Sequence, residues 1–201
     1  MAKLDILPIG LYEENSMVLH DHGHVLLIDP GRFPKEIAAR VDQKEIVDAI
    51  VLTHGHSDHT MAADDLADQY HCPIYLHPLD RILVESADRH LDGTDHPIYH
   101  EIQPLSSGEM MIGTFPVTVY HTPGHTAGSV CVRYRNLLFT GDTLFAGDCG
   151  RTDLYSGDEA AMQKSLHLLA GLSRDLQVYP GHGPSSTISM ELKVNPYLQA
   201  A

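Results

Sequence analysis

The chain has no tryptophan, three cysteines, and 13 lysines and arginines against 27 aspartates and glutamates, for a formal net charge of −14 over 201 residues. The shortage of positive charge argues against a nucleic-acid or anionic-membrane surface, because phosphates are repelled unless a local basic stripe offsets the field. The densest cationic stretch, 133–135, holds only two arginines. The cysteines, at 72, 131 and 149, form neither a CxxC nor an even framework. That argues against a disulfide scaffold and for a reducing, cytoplasmic compartment. No apolar run approaches the roughly 18 residues that a membrane span needs. The first 15 residues carry one lysine and are interrupted by Asp5, Pro8, Gly10, Glu13 and Glu14, so no signal peptide is read. There is no Ser/Pro-rich linker, low-complexity tract or internal repeat. With 43% hydrophobic and 20% charged residues, the chain has folded rather than disordered composition. One domain over 1–201 is expected.

What is present is a regular alternation of short apolar runs with Gly/Pro/Asp turns. Strands are read at 4–9, at 17–20 and 25–28 (a hairpin through Asp21-His22-Gly23), at 48–53, where Ile50, Val51 and Leu52 are consecutive, and at 73–76. Helices are read at 61–70, with Ala62, Leu66 and Tyr70 on one face, and at 79–85. A loop is read at 93–97. From 98 to 139 strand follows strand, most clearly at 117–120, 130–134 and 137–139. A helix at 158–172, a strand at 176–179 and a short helix at 188–194 complete the pattern. Interleaved strands and helices, with strand-rich stretches in both halves, predict two sheets packed face to face with helices outside.

Histidine is the abundant residue, with 15 copies. Its placement carries the chemistry. Strand 48–53 runs into His54-Gly55-His56-Ser57-Asp58-His59 and strand 117–120 into His121-Thr122-Pro123-Gly124-His125. Strand 137–139 runs into Thr140-Gly141-Asp142 and strand 176–179 into Pro180-Gly181-His182-Gly183. Loops at strand ends, held by a rigid sheet, are where functional groups concentrate. Glycine beside a ligand removes side-chain bulk. Imidazole and carboxylate suit zinc, iron and manganese, and three imidazoles leave a coordination position open. His54, His56 and His125 are candidate ligands of one ion. Asp58, His59 and His182 are candidates for a second, with Asp142 bridging through its two oxygens. Two ions about 3.5–4 Å apart make a hydrolytic device.

The remaining histidines lack such partners. His20, His22, His24, His71, His77, His90, His96, His100 and His167 are read as solvated or hydrogen-bonded structural residues. His121, four residues before His125, is read as structural, with a role in supporting a ligand as the alternative.

The segment Thr53-His54-Gly55-His56-Ser57-Asp58-His59 resembles the HxHxDH signature of the metallo-β-lactamase superfamily. Thr122-Pro123-Gly124-His125-Thr126-Ala127-Gly128-Ser129, Gly141-Asp142-Thr143-Leu144-Phe145 and Pro180-Gly181-His182-Gly183 resemble its later motifs in the same order. Asp29-Pro30-Gly31 resembles the acidic turn that precedes them. The resemblance implies an α/β fold, an αββα sandwich with metals at one edge of the sheets. It also implies the seven ligands named above. True β-lactamases of the superfamily generally lack the bridging aspartate, so Asp142 speaks against that activity.

Within the superfamily the chain resembles the compact glyoxalase II-like, or hydroxyacylglutathione hydrolase-like, group. The likeness rests on Gly150-Arg151-Thr152-Asp153-Leu154 after the bridge, and on Tyr179-Pro180-Gly181-His182-Gly183-Pro184 with Asn195-Pro196-Tyr197. A single domain without the C-terminal glutathione-binding extension is expected, which leaves the carrier thiol open. The likeness implies hydrolysis of a small-molecule thioester by a hydroxide shared between two divalent ions, with zinc expected and iron or manganese compatible. Asp58 would orient the nucleophile. Phe145, Arg151 and Tyr155 are expected beside the substrate, although a mutual ion pair shaping the loop is the preferred reading of Arg151 and Asp153. The Cys149-Gly150-Arg151-Thr152-Asp153 stretch also resembles the one-iron persulfide dioxygenases of the superfamily, which is the second reading. There Cys149 is either an ordinary loop residue or a substrate-side group. A phosphodiesterase or lactonase is a further alternative, and a phosphodiesterase or nuclease is disfavoured by the charge of −14.

Overall fold

The computed structural model describes residues 2–85 and 97–199. The first half forms a six-stranded sheet in sequence order: β1 (Lys3–Ile9), β2 (Glu14–Asp21), β3 (His24–Ile28), β4 (Ile46–Val51), β5 (Ile74–Leu76) and β6 (Ile102–Pro104). β1 to β3 are antiparallel, and β3 to β6 are parallel. The turn between β2 and β3 is His22-Gly23, both at positive φ (52° and 83°), which is the mirror-image turn that tight hairpins favour. The parallel part needs crossovers. These carry helices α1 (Pro34–Ala38), α2 (Ser57–Thr60), α3 (Ala63–Tyr70) and α4 (Arg81–Glu85).

The second sheet holds β7 (Gly108–Ile112), β8 (Phe115–His121), β9 (Val130–Tyr134) and β10 (Leu137–Gly141). A two-strand hairpin, β11 (Leu144–Phe145) and β12 (Asp148–Cys149), follows. Helix α5 (Glu159–Ala170) then crosses to β13 (Gln177–Pro180), which pairs parallel to β10, and β14 (Ser186–Thr187) forms the edge. Helices α6 (Ile188–Val194) and α7 (Pro196–Gln199) come last.

Strand alternation explains the layering, since successive side chains face opposite sides of a sheet. In β2 to β4, Met17, Leu19, Leu26, Ile28, Ala49 and Val51 point toward the second sheet. They meet Phe115, Val117, Val119, Val132 and Phe139 there. Their neighbours Val18, Val25, Leu27 and Ile50 point outward, against Ile37 of α1, Leu66 of α3 and Leu83 of α4. On the far side Cys131, Leu138 and Val178 pack on Met162, Leu166 and Leu169 of α5 and Leu198 of α7. Sheets buried on both faces explain why these strands read as nearly continuous apolar runs. The architecture is the αββα sandwich. Truncating a central side chain such as Phe139, 1% exposed, costs about 3–5 kcal/mol.

The structure adds one element to the sequence reading. The helix read at 61–70 forms as α3, over 63–70, and a separate one-turn helix, α2, stands just before it. The Ala62 amide leaves the helical ladder to donate to Pro30 O at 3.0 Å, so the chain turns between them. As a result Asp58 and His59 stand on a one-turn helix, not in an open loop. The loop read at 93–97, with His90 and His96, lies almost entirely outside the described residues. Among those described, no helix is long and apolar enough to cross a membrane.

Candidate metal centre

Each candidate ligand stands just past a strand end at one edge of the sandwich. His54 and His56 follow β4, His125 follows β8, Asp142 follows β10, and His182 follows β13. Asp58 and His59 ride on α2. The ligand atoms of His54, His56 and His125 lie within 4.8 Å of one another, as do those of Asp58, His59 and His182. Asp142 joins the two trios. Its Oδ2 is 3.5 Å from His125 Nε2 and 3.6 Å from His182 Nε2, and its Oδ1 is 3.4 Å from His59 Nε2.

Hydrogen bonds on the far side of the rings set which nitrogen faces the centre. His125 Nδ1 donates to Arg151 O at 2.7 Å, and His182 Nδ1 donates to Tyr12 O at 2.9 Å. His59 Nδ1 donates to Asp29 Oδ2 at 3.1 Å. Thr53 gives its hydroxyl proton to Asp29 at 2.6 Å, so its oxygen accepts from His54 Nδ1 at 3.2 Å. In all four residues the Nε2 lone pair is left inward, which is how ligating histidines are commonly held.

The donor set fits a cation. His54 Nε2, His56 Nε2 and Asp142 Oδ1 are buried without a hydrogen-bond partner. An unmet buried polar atom costs about 1–3 kcal/mol, and ligation removes that cost. His56 Nδ1 faces His125 Nε2 at 2.8 Å, and His59 Nε2 faces His182 Nε2 at 3.2 Å. Ring nitrogens converging at that separation from facing loops suit a shared cation.

Burial pushes the pKa of His54 well below the usual imidazole value, helped by the nearby His59. Burial, then His125 and His59, take His56 down to about 3. Burial acts to raise Asp58, but His59 and His182 outweigh it and hold the carboxyl well below its usual range. Two neutral imidazoles and an ionised carboxylate are the forms that bind metal. For His59, burial is outweighed by Asp58, Asp142 and Asp29, which raise its pKa well above the usual value.

A cleft of about 460 Å³ opens onto this cluster, bounded by Tyr12, Ser57, Arg151 and Leu154 beside the ligands. Of the residues expected beside a substrate, only Arg151 lines it. The Phe145 ring reaches the site through an edge-on contact with His182, at 6.1 Å between centroids. Leu154, next to Tyr155 in sequence, lines the cleft. Arg151 forms a two-pronged ion pair with Asp153, both contacts at 2.7 Å, so the loop-shaping reading holds. Burial pushes the half-buried Cys149 thiol up to about 11, far from a reactive thiolate.

Among the described residues, several of the other histidines have structural partners. His20 pairs with Glu45, His22 with Asp21, His24 with Asp48, and His100 with Asp64. His121 contacts Ala127 O at 2.8 Å and stacks on His77 at 4.2 Å. Asp29 and Tyr12 were not singled out from sequence as supports of the ligands. Asp29 stood only as part of a turn motif, and Tyr12 acts through its backbone carbonyl, which no sequence pattern announces.

Comparison with known proteins agrees with this geometry. Residues 9–182 match the family model described as the metallo-beta-lactamase superfamily. The probable metallo-hydrolase YqgX of Bacillus subtilis is 34% identical, covering 96% of this chain and 95% of its own. The hydroxyacylglutathione hydrolase GloC of Haemophilus influenzae is 30% identical, covering 98% of each. Among solved structures, the BLEG-1 B3 metallo-beta-lactamase superposes with a TM-score of 0.90 at 34% identity, covering 98% of this chain and 99% of its own. TTHA1623 in a di-iron-bound form superposes at 0.86 with 35% identity, covering 96% and 99%.

Proposed function

The chain belongs to the metallo-beta-lactamase superfamily and is a metallohydrolase, and from that premise we propose that it hydrolyses small-molecule thioesters of the glyoxalase II type with two divalent ions. The observation that carries the reading is Asp142, whose two oxygens reach ligands of both trios. A carboxylate so placed would join two ions into one centre. GloC adds weight, because a relative matching this chain over almost its whole length bears the name of a glutathione thioesterase. Zinc is the proposed metal. The di-iron form of TTHA1623 makes iron its first competitor.

His54, His56 and His125 would hold one ion, and Asp58, His59 and His182 the other. Bound there, divalent ions supply Lewis acidity and lower the pKa of water so that hydroxide is available near neutral pH. The chain's own groups do the rest. Asp58, held ionised, accepts a hydrogen bond from the attacking water and orients it toward the thioester carbonyl. Tyr12, Arg151 and Leu154 bound the space for the acyl and thiol parts. A leaving thiolate has a conjugate pKa of about 8.5, so no separate general acid is required.

A second reading, opening of a β-lactam ring, is favoured by the likeness to BLEG-1. The deciding assay measures kcat/KM for lactoyl thioesters of several small thiols, for a chromogenic cephalosporin, and for a persulfide with oxygen uptake. Thioester turnover at least 10²-fold above the other two is the expected outcome. Preference for the cephalosporin, or oxygen uptake on the persulfide, overturns the reading.

A further inference from the structure

Asp80 is fully buried, at the end of the helical turn Pro78–Asp80 that leads into α4, and no sequence motif marks it. Its carboxylate accepts three hydrogen bonds. Oδ2 takes one from the Gly55 amide at 2.9 Å and one from the Thr126 hydroxyl at 2.7 Å. Oδ1 takes one from the Gly128 amide at 2.6 Å. The donors sit on two segments that come from different sheets. Gly55 lies between the ligands His54 and His56. Thr126 and Gly128 lie directly after the ligand His125.

The fit around the carboxylate dictates glycine on both sides. A Cβ at Gly128 would stand 2.5 Å from Asp80 Oδ1. A Cβ at Gly55 would stand 2.8 Å from Leu83 Cβ and 3.0 Å from Asp80 O. The two loops can reach the carboxylate only without side chains there. Thr126 is further held by Ser129, whose hydroxyl lies 2.8 Å from its own and accepts from its amide at 3.1 Å.

We propose that Asp80 is a positioning residue of the three-histidine site, tying the His54-Gly55-His56 loop to the His125 loop so that the three imidazoles converge before any ion binds. Charge-assisted bonds to fixed backbone amides are among the stronger and more directional in a protein. One buried carboxylate shared by both loops makes the distance between them a fixed quantity. Asp80 touches neither ion nor substrate and acts only through the backbone of the ligand loops. The Asp58, His59 and His182 trio receives no bond from it. The effect of losing Asp80 is therefore confined to one of the two sites.

The proposal rests on the ligand assignment above, but its test does not use the thioester reaction. Metal-free wild type, Asp80→Asn and Thr126→Val are titrated with Co²⁺ against a competing chelator, following stoichiometry and the visible absorption of the bound ion. Asp80→Asn keeps the shape but turns an amide NH₂ toward a donor. It is expected to weaken one of the two sites about 10–100-fold and alter its absorption band, leaving the other site unchanged. Thr126→Val removes the hydroxyl's bonds to Asp80 and Ser129 but leaves both glycine amides on the carboxylate, and is expected to weaken the same site by a smaller factor, with the melting temperature of the metal-free protein held. That variant decides the matter if Asp80→Asn does not fold. Unchanged affinities in the folded variants, or equal weakening of both sites, overturn the proposal. Wild type that binds two ions but hydrolyses no thioester defeats the proposed function and leaves this inference standing.

Discussion

Asp29 Oδ2 lies 3.1 Å from His59 Nδ1, both side chains wholly buried. The same carboxylate accepts from the Thr53 amide at 2.7 Å and from its hydroxyl at 2.6 Å. One buried acid thus orients a ligand of the second trio directly and, through Thr53, a ligand of the first. Asp29→Asn preserves shape but brings an NH₂ against two donors. Metal affinity measured by chelator competition is expected to fall about 10–100-fold, with both ions affected. Retention of wild-type affinity at both would remove Asp29 from the support of the centre.

The bridge makes a different prediction. Asp142→Ala takes away a side chain whose two oxygens reach ligands of both trios. Elemental analysis is expected to fall from about two ions per chain toward one, and kcat by about 10²-fold or more, the scale for losing a preorganised charge at a reacting centre. A variant with full metal content and near-normal turnover would show that the trios work independently.

Arg151 contributes two separable groups. Its backbone carbonyl holds His125 at 2.7 Å, while its side chain borders the cleft and pairs with Asp153. Arg151→Ala removes only the second. KM for the thioester is therefore expected to rise several-fold with kcat nearly unchanged, the pattern of lost substrate binding without lost transition-state stabilisation. A matching fall in kcat would mean that the side chain acts on the chemistry.

The His77–His121 stack predicts an acid-side loss of stability. Burial, then the neighbouring His121, hold His77 down to about 4. The unfolded chain, with an ordinary imidazole, takes up a proton first as pH falls from about 6.5. Stability from this group is therefore fully present above about 6.5 and drains away toward pH 4. Because His77 is partly exposed, the effect is on the order of 1 kcal/mol after screening. His77→Phe keeps a flat ring on His121 and should lose less stability between pH 6.5 and 4 in denaturant melts. An identical slope in the two proteins would contradict the assignment.

The layers were legible because the central strands, such as β2 to β4, bury both faces, and such strands advertise themselves as Ile-Val-Leu runs with turn residues between. The ligands were legible because histidine and aspartate beside glycine at four strand ends have little packing use. What escaped had physical reasons. The break between α2 and α3 depends on a single amide, Ala62, bonding to Pro30, a contact between segments far apart in sequence. Asp80 escaped because its partners are mostly backbone amides, which every residue carries.

The central claim is that both trios serve one hydrolytic reaction. Metal-free protein is titrated with Zn²⁺ while hydrolysis of a lactoyl thioester is followed at each ratio of ion to chain. The account predicts little activity up to one equivalent and a rise that completes at two. Full activity at one equivalent, or none at two, would contradict it.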